Sequence, residues 1–281
     1  MPKATLHEVL STAKAEGYAI GAFNCYDYPC MRAVAESAEE LAAPAVIQTS
    51  VAAVKLWGIE TMAGWYTGLA ERISVPLVLH LDHCRDLDYL RRCVDGGWTS
   101  VMFDGSHLPF EENVALSEEA AAYASSRGVS IEAELGAIGG KEDDIAAGVD
   151  VPLADPDEAE KFCERVALDV FAPAVGTVHG LYKGEPNVDF ERLEEIARRT
   201  GVPLALHGGT GLSDEIFIRS IELGCAKINI GTQLKRDLID GFCDYHTLHP
   251  QEYNPLTIFE AQLERLKKGI KQKITLFGGA S

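Results

Sequence analysis

Short apolar segments alternate with amphipathic segments along most of the chain. Eight apolar segments, each rich in Val, Ile, Leu, Phe or Ala, have the length of buried strands: 19–25, 44–50, 76–83, 100–106, 130–136, 170–176, 203–209 and 226–232. Between them, hydrophobic residues recur at helical spacing opposite charged faces, which predicts helices at 31–42, 86–95, 111–127, 157–167, 189–200 and 214–223. Strands that alternate with helices pair in parallel through right-handed crossovers.

Eight such units without a break predict a closed (β/α)8 barrel, the TIM-barrel architecture. An open, doubly wound sheet is the alternative, but no GxGxxG motif follows the first strand. Residues 1–17 predict an amphipathic helix, and the tail from 242 to 281 predicts a C-terminal helical extension with a helix at 258–271. No Pro-, Ser- or Gly-rich linker divides the chain, so we interpret 1–281 as one domain.

The composition narrows the possible partners. The 281 residues include 25 Lys and Arg against 43 Asp and Glu, a net charge of −18, which argues against nucleic acid as a ligand. An anionic substrate therefore needs a local device such as a metal, a helix N-terminus or a placed lysine. We expect a cytoplasmic protein without a membrane span, because no long apolar run or secretory signal is present and the seven cysteines form no CxxC pair.

Polar residues follow the apolar segments at the point where each strand is predicted to end. In a barrel all strands point the same way, and active sites lie on the rim formed by their carboxyl ends. The predicted rim residues are Asn24, Gln48, Ser50, Asp82, His83, Asp104, Glu134, His179, His207, Asn229 and Thr232. These side chains converge only if the barrel prediction holds.

His83, His179 and His207 each close or follow an apolar strand. Three neutral imidazoles with an open fourth position are a usual ligand set for catalytic zinc. For one histidine alone, a structural role is the better interpretation. Three on one rim favour a metal site, and His80 is left as a residue that supports it from a layer below.

The carboxylates of the rim suggest acid–base chemistry. Asp82 is adjacent to His83 and suits proton transfer beside a metal-bound substrate. Asp104 and Glu134 end the fourth and fifth predicted strands. They are open to three interpretations: ligands of a second divalent or monovalent cation, groups that orient the histidines, or solvated rim carboxylates.

Two glycine-containing loops follow the last two predicted strands. Adjacent loops at these positions form the usual phosphate cradle of a barrel, although tight turns between strand and helix are the simpler interpretation. Lys183 can add a positive charge from the loop after His179. The loop residues are Gly208, Gly209, Thr210 and Gly211 in one case and Asn229, Ile230, Gly231 and Thr232 in the other.

Seven motifs, in order along the chain, resemble the metal-dependent class II aldolases, a family that includes fructose-bisphosphate and tagatose-bisphosphate aldolases. They are HLDH at 80–83, DGS at 104–106, EAELG at 132–136, GGKED at 139–143, GTVHGLY at 176–182, HGGTG at 207–211 and NIGT at 229–232. The resemblance covers roughly residues 5 to 275. It implies a zinc ion held by the three histidines and homodimers or homotetramers.

The resemblance also implies roles for individual residues. Asp82 would act on the hydroxyl of the aldehyde-derived half, and Glu142, in the long Gly-rich loop predicted at 137–156, would act on the ketose-forming proton. Asp104 and Glu134 would match a second, spectator metal site. The implied substrate-binding residues, for a phosphorylated sugar that yields dihydroxyacetone phosphate, are Asn24, Gly180, Gly208, Gly209, Thr210, Asn229, Ile230, Gly231 and Thr232. Gln48 and Ser50, from their place on the predicted rim, and Lys183, from the loop after His179, are added to this set.

One departure from the family bears on the substrate. Many members that cleave bisphosphates carry Asp-Pro-Arg near the C-terminus, whose arginine reaches the second phosphate in a neighbouring subunit. Here the corresponding residues read Asn254, Pro255 and Leu256, and leucine supplies no cation. This departure leads to the hypothesis that the aldehyde half is not a standard phosphorylated triose, so that a ketose 1-phosphate, sugar acid or deoxysugar derivative is the alternative to a bisphosphate substrate. Compensating cations would have to come from Arg265, Lys267 or Lys268.

Two other functional classes are alternatives to an aldolase. A metal-dependent hydrolase on the same barrel often carries HxH on its first strand, whereas this strand ends in Asn24 and Cys25. A noncatalytic scaffold would be expected to have lost a ligand or the base. His83, His179, His207 and Asp82 are all present, which favours the enzyme.

Overall fold

The computed structural model describes residues 2–142, 145–147, 151–182 and 184–279, without the side chains of 141, 142 and 145–147. The helices are α1 Leu6–Glu16, α2 Tyr28–Glu40, α3 Val51–Trp57, α4 Ile59–Ala70, α5 Leu87–Asp95, α6 Phe110–Ser125, α7 Pro156–Arg165, α8 Phe190–Thr200, α9 Asp214–Glu222, α10 Thr232–Leu248 and α11 Pro255–Leu276. The strands are β1 Ile20–Asn24, β2 Ala45–Ser50, β3 Leu77–Cys84, β4 Ser100–Phe103, β5 Ser130–Leu135, β6 Gly139–Glu142, β7 Ile145–Ala147, β8 Val170–Pro173, β9 Val178–His179, β10 Leu204–Leu206 and β11 Cys225–Ile230.

Eight of these strands close into a parallel barrel in the order β1, β11, β10, β8, β5, β4, β3 and β2. Each of the eight coincides with a segment predicted from the apolar pattern, except that β3 runs one residue further, to Cys84, and β11 begins one residue earlier, at Cys225. The predicted TIM barrel is thus confirmed, and the carboxyl ends of its strands share one mouth.

The barrel has two hydrophobic layers. The larger layer lies between the strands and the surrounding helices. The smaller fills the lower interior, where Leu6 and Leu10 of α1 pack with Ile20, Val46 and Val78 of the strands. α1 begins with a capping box in which Thr5 and Glu8 satisfy each other's backbone groups. The N-terminal helix therefore closes the floor of the barrel.

The region after β5 differs from its prediction as a loop. β6 pairs antiparallel with β7 and parallel with β9, forming a small sheet beside the mouth. Gly140, with φ of 92°, makes this possible, because a Cβ there would lie 2.1 Å from the carbonyl oxygen of His179. α3 and α4 were not predicted either, since exposed Leu56 and Trp57 obscure the apolar periodicity.

The C-terminal helical extension is present as a hairpin of α10 and α11. Pro255 begins α11 after the Asn254 cap, and Lys267 anchors the helix to Glu36 and Glu40 of α2 at 3.1 and 2.5 Å. Among the described residues, no helix combines the length and apolar composition needed to cross a bilayer.

Candidate active site

β3 shows how the sequence delivers polar groups to the mouth. Val78, His80 and Asp82 are two residues apart and so share the face that looks into the barrel. His83 breaks this alternation, and its φ of 46° is unusual for a residue with a side chain. This backbone conformation allows Asp82 and His83, neighbours in sequence, to enter the same site.

The three predicted histidines meet at the mouth. The ring centroid of His83 lies 4.9 Å from that of His179 and 4.8 Å from that of His207. His83 Nε2 is 3.0 Å from His207 Nδ1, and one nitrogen from each of the three rings lies within 4.8 Å of the others. All three side chains are buried. The structure thus brings together rings from β3, β9 and the end of β10.

This geometry fits a divalent metal ion. Two nitrogens bound to one tetrahedral zinc at about 2.0–2.1 Å are about 3.3 Å apart, close to the separation of His83 and His207. Burial, followed by the influence of His83, lowers the pKa of both His179 and His207 well below the ordinary value. Both rings are therefore neutral and offer lone pairs, the form in which histidine ligates metals.

Beneath the histidines lies a buried polar network that the sequence interpretation missed. Glu132 Oε1 is 2.7 Å from His207 Nε2, and its Oε2 is 2.9 Å from Lys227 Nζ and 3.4 Å from His80 Nε2. Lys227 also donates to Asn229 Oδ1 at 2.8 Å. Because Glu132 accepts the Nε2 proton of His207, Nδ1 of that ring is left to face His83. The sequence does contain a signal for this network, because Glu132 lies two positions before Glu134 and Lys227 lies two positions before Asn229.

Three carboxylates surround His83. Its Nδ1 lies 3.3 Å from Asp104 Oδ2 and 3.5 Å from Glu134 Oε2, and its Nε2 lies 3.9 Å from Asp82 Oδ1. Burial opposes a charge on His83, but Asp82, Asp104 and Glu134 outweigh it and raise its pKa well above the ordinary value.

The two carboxylates nearest His83 Nδ1 differ in their ionisation. Burial and the negative charge of Asp104 raise the pKa of Glu134 to about 8. Burial also opposes the ionised form of Asp104, but His83 and Arg85 lower its pKa far below the usual range. Asp104, Glu134 and His83 also form a second cluster of the kind that can hold a cation. Both the second-cation and the orienting interpretations of these carboxylates are compatible with this arrangement.

Asp82 is held by a short relay of amides. Gln48 Nε2 donates to Asn24 Oδ1, and Asn24 Nδ2 donates to Asp82 Oδ2, both at 3.0 Å. Asp82 Oδ1 accepts no hydrogen bond from any described residue. One oxygen of Asp82 is thus fixed and the other remains available. Ser50, paired in register with Asp82, uses its hydroxyl to cap α3.

The two predicted phosphate loops form one cleft beside His179. Gly208 has φ of 66° and packs so closely that a Cβ would lie 2.5 Å from the Val178 carbonyl oxygen. The Asn229 side-chain nitrogen donates to no described residue. The cleft is lined by His179, Gly180, Gly208, Gly209, Thr210, Asn229, Gly231 and Thr232. Of the other two residues of the predicted loops, Gly211 does not line this cleft and Ile230 is buried in the adjoining strand.

Some predicted residues cannot be placed in the site. Lys183 lies outside the described residues, and Glu142 lies in β6 with its side chain outside the description. Arg265 is bound to Asp244 of α10 at 2.6 Å, and Lys267 is bound to α2 as described above. These two cations are therefore engaged on the outside of the barrel. Leu256 is 67% exposed at the start of α11.

Known proteins match this chain over nearly its whole length. A family model described as "Fructose-bisphosphate aldolase class-II" matches residues 4–281. "Probable fructose-bisphosphate aldolase" of Bacillus subtilis (strain 168) is 40% identical over 284 residues, spanning 100% of this chain and 99% of that protein. "Fructose-bisphosphate aldolase" of Staphylococcus aureus (strain Mu50 / ATCC 700699) is 39% identical over 281 residues, spanning 99% and 98%. The crystal structure of the YdjI aldolase from Escherichia coli K12 matches with a TM-score of 0.88 at 30% identity, covering 99% of this chain and 98% of that one.

Proposed function

This chain belongs to the class II fructose-bisphosphate aldolase family, and we propose that it uses zinc to cleave a phosphorylated ketose reversibly into dihydroxyacetone phosphate and an aldehyde. As a member of that family it is an aldolase, a carbon–carbon lyase. The observation that carries the proposal is the meeting of three imidazoles beside Asp82 and a glycine-lined cleft. His83, His179 and His207 would hold the metal.

The proposed reaction breaks the bond between C3 and C4 of the open-chain ketose. Asp82 accepts the proton of the C4 hydroxyl, so that the C4 oxygen becomes the carbonyl of the departing aldehyde. The electron pair of the broken bond remains on C3 as part of an enediolate. A bound divalent ion supplies Lewis-acid stabilisation of that negative charge.

The surrounding residues orient this chemistry. Asn24 and Gln48 hold one oxygen of Asp82, which leaves the other to face the C4 hydroxyl. The phosphate of the dihydroxyacetone half is assigned to the backbone of the glycine loops and to the Asn229 amide. By its family resemblance, Glu142 is assigned the return of a proton to C3. Lys183 is assigned a contact with the phosphate from its place in the sequence, four residues after His179. Asp104 and Glu134 are assigned to a second cation or to the orientation of His83.

The names of the relatives support a fructose bisphosphate as substrate. The family resemblance adds its C4 epimer, tagatose 1,6-bisphosphate, as a further candidate. Leu256 is the observation that favours a second class, namely a ketose 1-phosphate or a sugar-acid or deoxysugar phosphate, because it provides no cation for a second phosphate.

We also propose that the protein assembles into a homodimer or homotetramer. Six of the ten exposed large hydrophobic side chains of the described residues lie on the α10–α11 hairpin or its connection: Ile239, Phe242, Leu248, Tyr253, Leu256 and Phe259. A patch of this kind suits a homodimer or homotetramer interface. Phe242→Asp with Leu256→Asp is expected to give monomers in light scattering, whereas Ile218→Asp on α9 is not. A cytoplasmic location and a single domain over 1–281 complete the proposal.

A substrate panel tests the central claim. Fructose 1,6-bisphosphate, tagatose 1,6-bisphosphate and fructose 1-phosphate are supplied to the zinc-loaded protein, and release of dihydroxyacetone phosphate is measured. We expect cleavage of at least one ketose, loss of activity with a chelator and recovery on adding zinc. Release from none of these ketoses, or activity indifferent to chelation, would overturn the proposal.

A further inference from the structure

Arg85 lies at the mouth, two residues after His83, and is anchored beside the metal-binding histidines. Its Nε donates to Asp104 Oδ2 at 3.0 Å, the same oxygen that lies 3.3 Å from His83 Nδ1. The other oxygen of Asp104 accepts from the backbone and hydroxyl of Ser106 at 3.1 and 2.6 Å. Ser106 therefore holds the carboxylate of Asp104 in place, and Asp104 in turn holds the guanidinium of Arg85.

Most of the hydrogen-bonding capacity of Arg85 is unused within the described part of the chain. A guanidinium carries five N–H donors, and the interaction with Asp104 uses Nε alone. The side chain of Arg85 is 36% exposed, whereas that of Asp104 is 1% exposed. The buried carboxylate thus positions the arginine, and its terminal nitrogens remain available at the open mouth.

Arg85 lies on the side of the mouth opposite the phosphate cleft, where the far end of the substrate would lie. In the closed strand order, β3 lies four steps from β10 in either direction, so Arg85 is opposite the Gly208 loop of the phosphate cleft. Asp82, which acts on the C4 hydroxyl, is only three residues before Arg85. A ketose with its C1 phosphate in the cleft and C4 at Asp82 therefore has its far end on the β3 side.

The remaining charges make a local cation there significant. The chain carries a net charge of −18, which repels an anionic substrate. Arg265 and Lys267 are committed to carboxylates outside the barrel. Lys235, on the first turns of α10, packs over the ring of Tyr26 at 5.3 Å. Arg85, by contrast, contacts the same oxygen of Asp104 as His83, a proposed metal ligand.

We infer that Arg85 recognises a terminal anionic group, a phosphate or a carboxylate, on the aldehyde half of the substrate. This rests on the proposed function and names the substrate class: phosphorylated ketoses that also carry an anion at the far end. The planar fork of a guanidinium matches either group through paired hydrogen bonds. Arg85 then supplies, from the same chain, the positive charge for this anion that Leu256 does not provide.

The condensation direction gives matched pairs of substrates. In the phosphate arm, dihydroxyacetone phosphate is combined with anionic glyceraldehyde 3-phosphate or with its neutral counterpart glyceraldehyde. In the carboxylate arm, it is combined with anionic succinate semialdehyde or with neutral butanal. For the preferred arm, Arg85→Ala is expected to lower kcat/KM for the anionic aldehyde about ten- to a hundredfold, while the neutral aldehyde changes less than about twofold. Arg85→Lys should recover part of the preference.

Two controls separate this role from a structural one. Arg91→Ala, at an arginine of α5 bound to Asp88 and Glu119 on the surface, should leave both aldehydes unaffected. Metal content and melting temperature are measured for every variant, with Arg85→Gln as a second neutral replacement should the alanine variant misfold. Equal losses for charged and neutral aldehydes, or no anion preference in the unsubstituted enzyme, would overturn the inference alone. No condensation with any aldehyde would overturn the proposed function together with it.

Discussion

The floor and the mouth of the barrel interior are built from the same strands but contain opposite kinds of residue. On β1 the inward positions run from Ile20 through Ala22 to Asn24, and on β3 from Val78 through His80 to Asp82. The floor is thus apolar and is closed by α1, whereas the mouth is a layer of buried imidazoles, amides and carboxylates.

This division separates stability from chemistry within single strands. An apolar side chain on the floor is stabilised by leaving water and needs no specific partner. A polar side chain in the mouth is costly to bury unless it is hydrogen-bonded or paired. The Glu132–Lys227 pair and the Asn24–Asp82 contact meet that requirement within the chain. In the histidine cluster, a bound cation would take up the lone pairs of the ring nitrogens. Substitutions in the two layers should therefore have different consequences.

The largest expected effect comes from a metal ligand. His207→Ala removes one of three imidazoles, so we expect zinc binding and cleavage to fall to background. Zinc is quantified after dialysis, alongside dihydroxyacetone phosphate release. His249→Ala, at an exposed histidine after α10, is the matched control and should leave both unchanged. A His207→Ala protein that retains one tightly bound zinc would contradict the three-histidine site.

Replacement of the base should remove activity without removing the metal. Asp82→Ala is expected to lower kcat by about 10²- to 10⁴-fold, the usual contribution of a general acid–base residue. Zinc content should stay near that of the unsubstituted protein, because Asp82 is not assigned as a ligand. Loss of zinc in parallel with activity would instead make Asp82 part of the metal site.

The network beneath the mouth should show an intermediate effect. Glu132→Gln leaves Lys227 buried without its counter-ion and weakens the hydrogen bond that orients His207. We expect stability to fall by about 3–5 kcal/mol in urea unfolding and zinc affinity by about ten- to a hundredfold. Adding Lys227→Met should restore most of the stability but not the affinity, which separates the two roles. If the double variant recovered both stability and zinc affinity, Glu132 would act only as the counter-ion of Lys227 and would not orient His207.

The layers also differ in how far the sequence predicts them. The strands of the barrel and the rim histidines were predictable because apolar runs end in polar residues, a local signal read from segments such as 76–83. Glu132 and Lys227 were missed because a charge inside an apolar strand acquires meaning only when a distant strand supplies its partner. Arg85 was missed for the same reason, since its partner Asp104 is 19 residues away, directly after β4. The β6–β7 pairing similarly depends on contact with β9.

The smallest effect on catalysis should come from the floor. Leu10 of α1 is fully buried against the lower strand residues, so Leu10→Ala leaves a cavity and should reduce stability by about 2–5 kcal/mol. Because no polar group of the mouth moves, kcat and zinc content at 25 °C should remain within about twofold of the unsubstituted enzyme. Leu56→Ala, at a side chain that is 75% exposed, should change stability by less than about 0.5 kcal/mol. A fall in kcat that tracks the lost stability of Leu10→Ala would show that the mouth depends on the packing below it, and the separation of the two layers would fail.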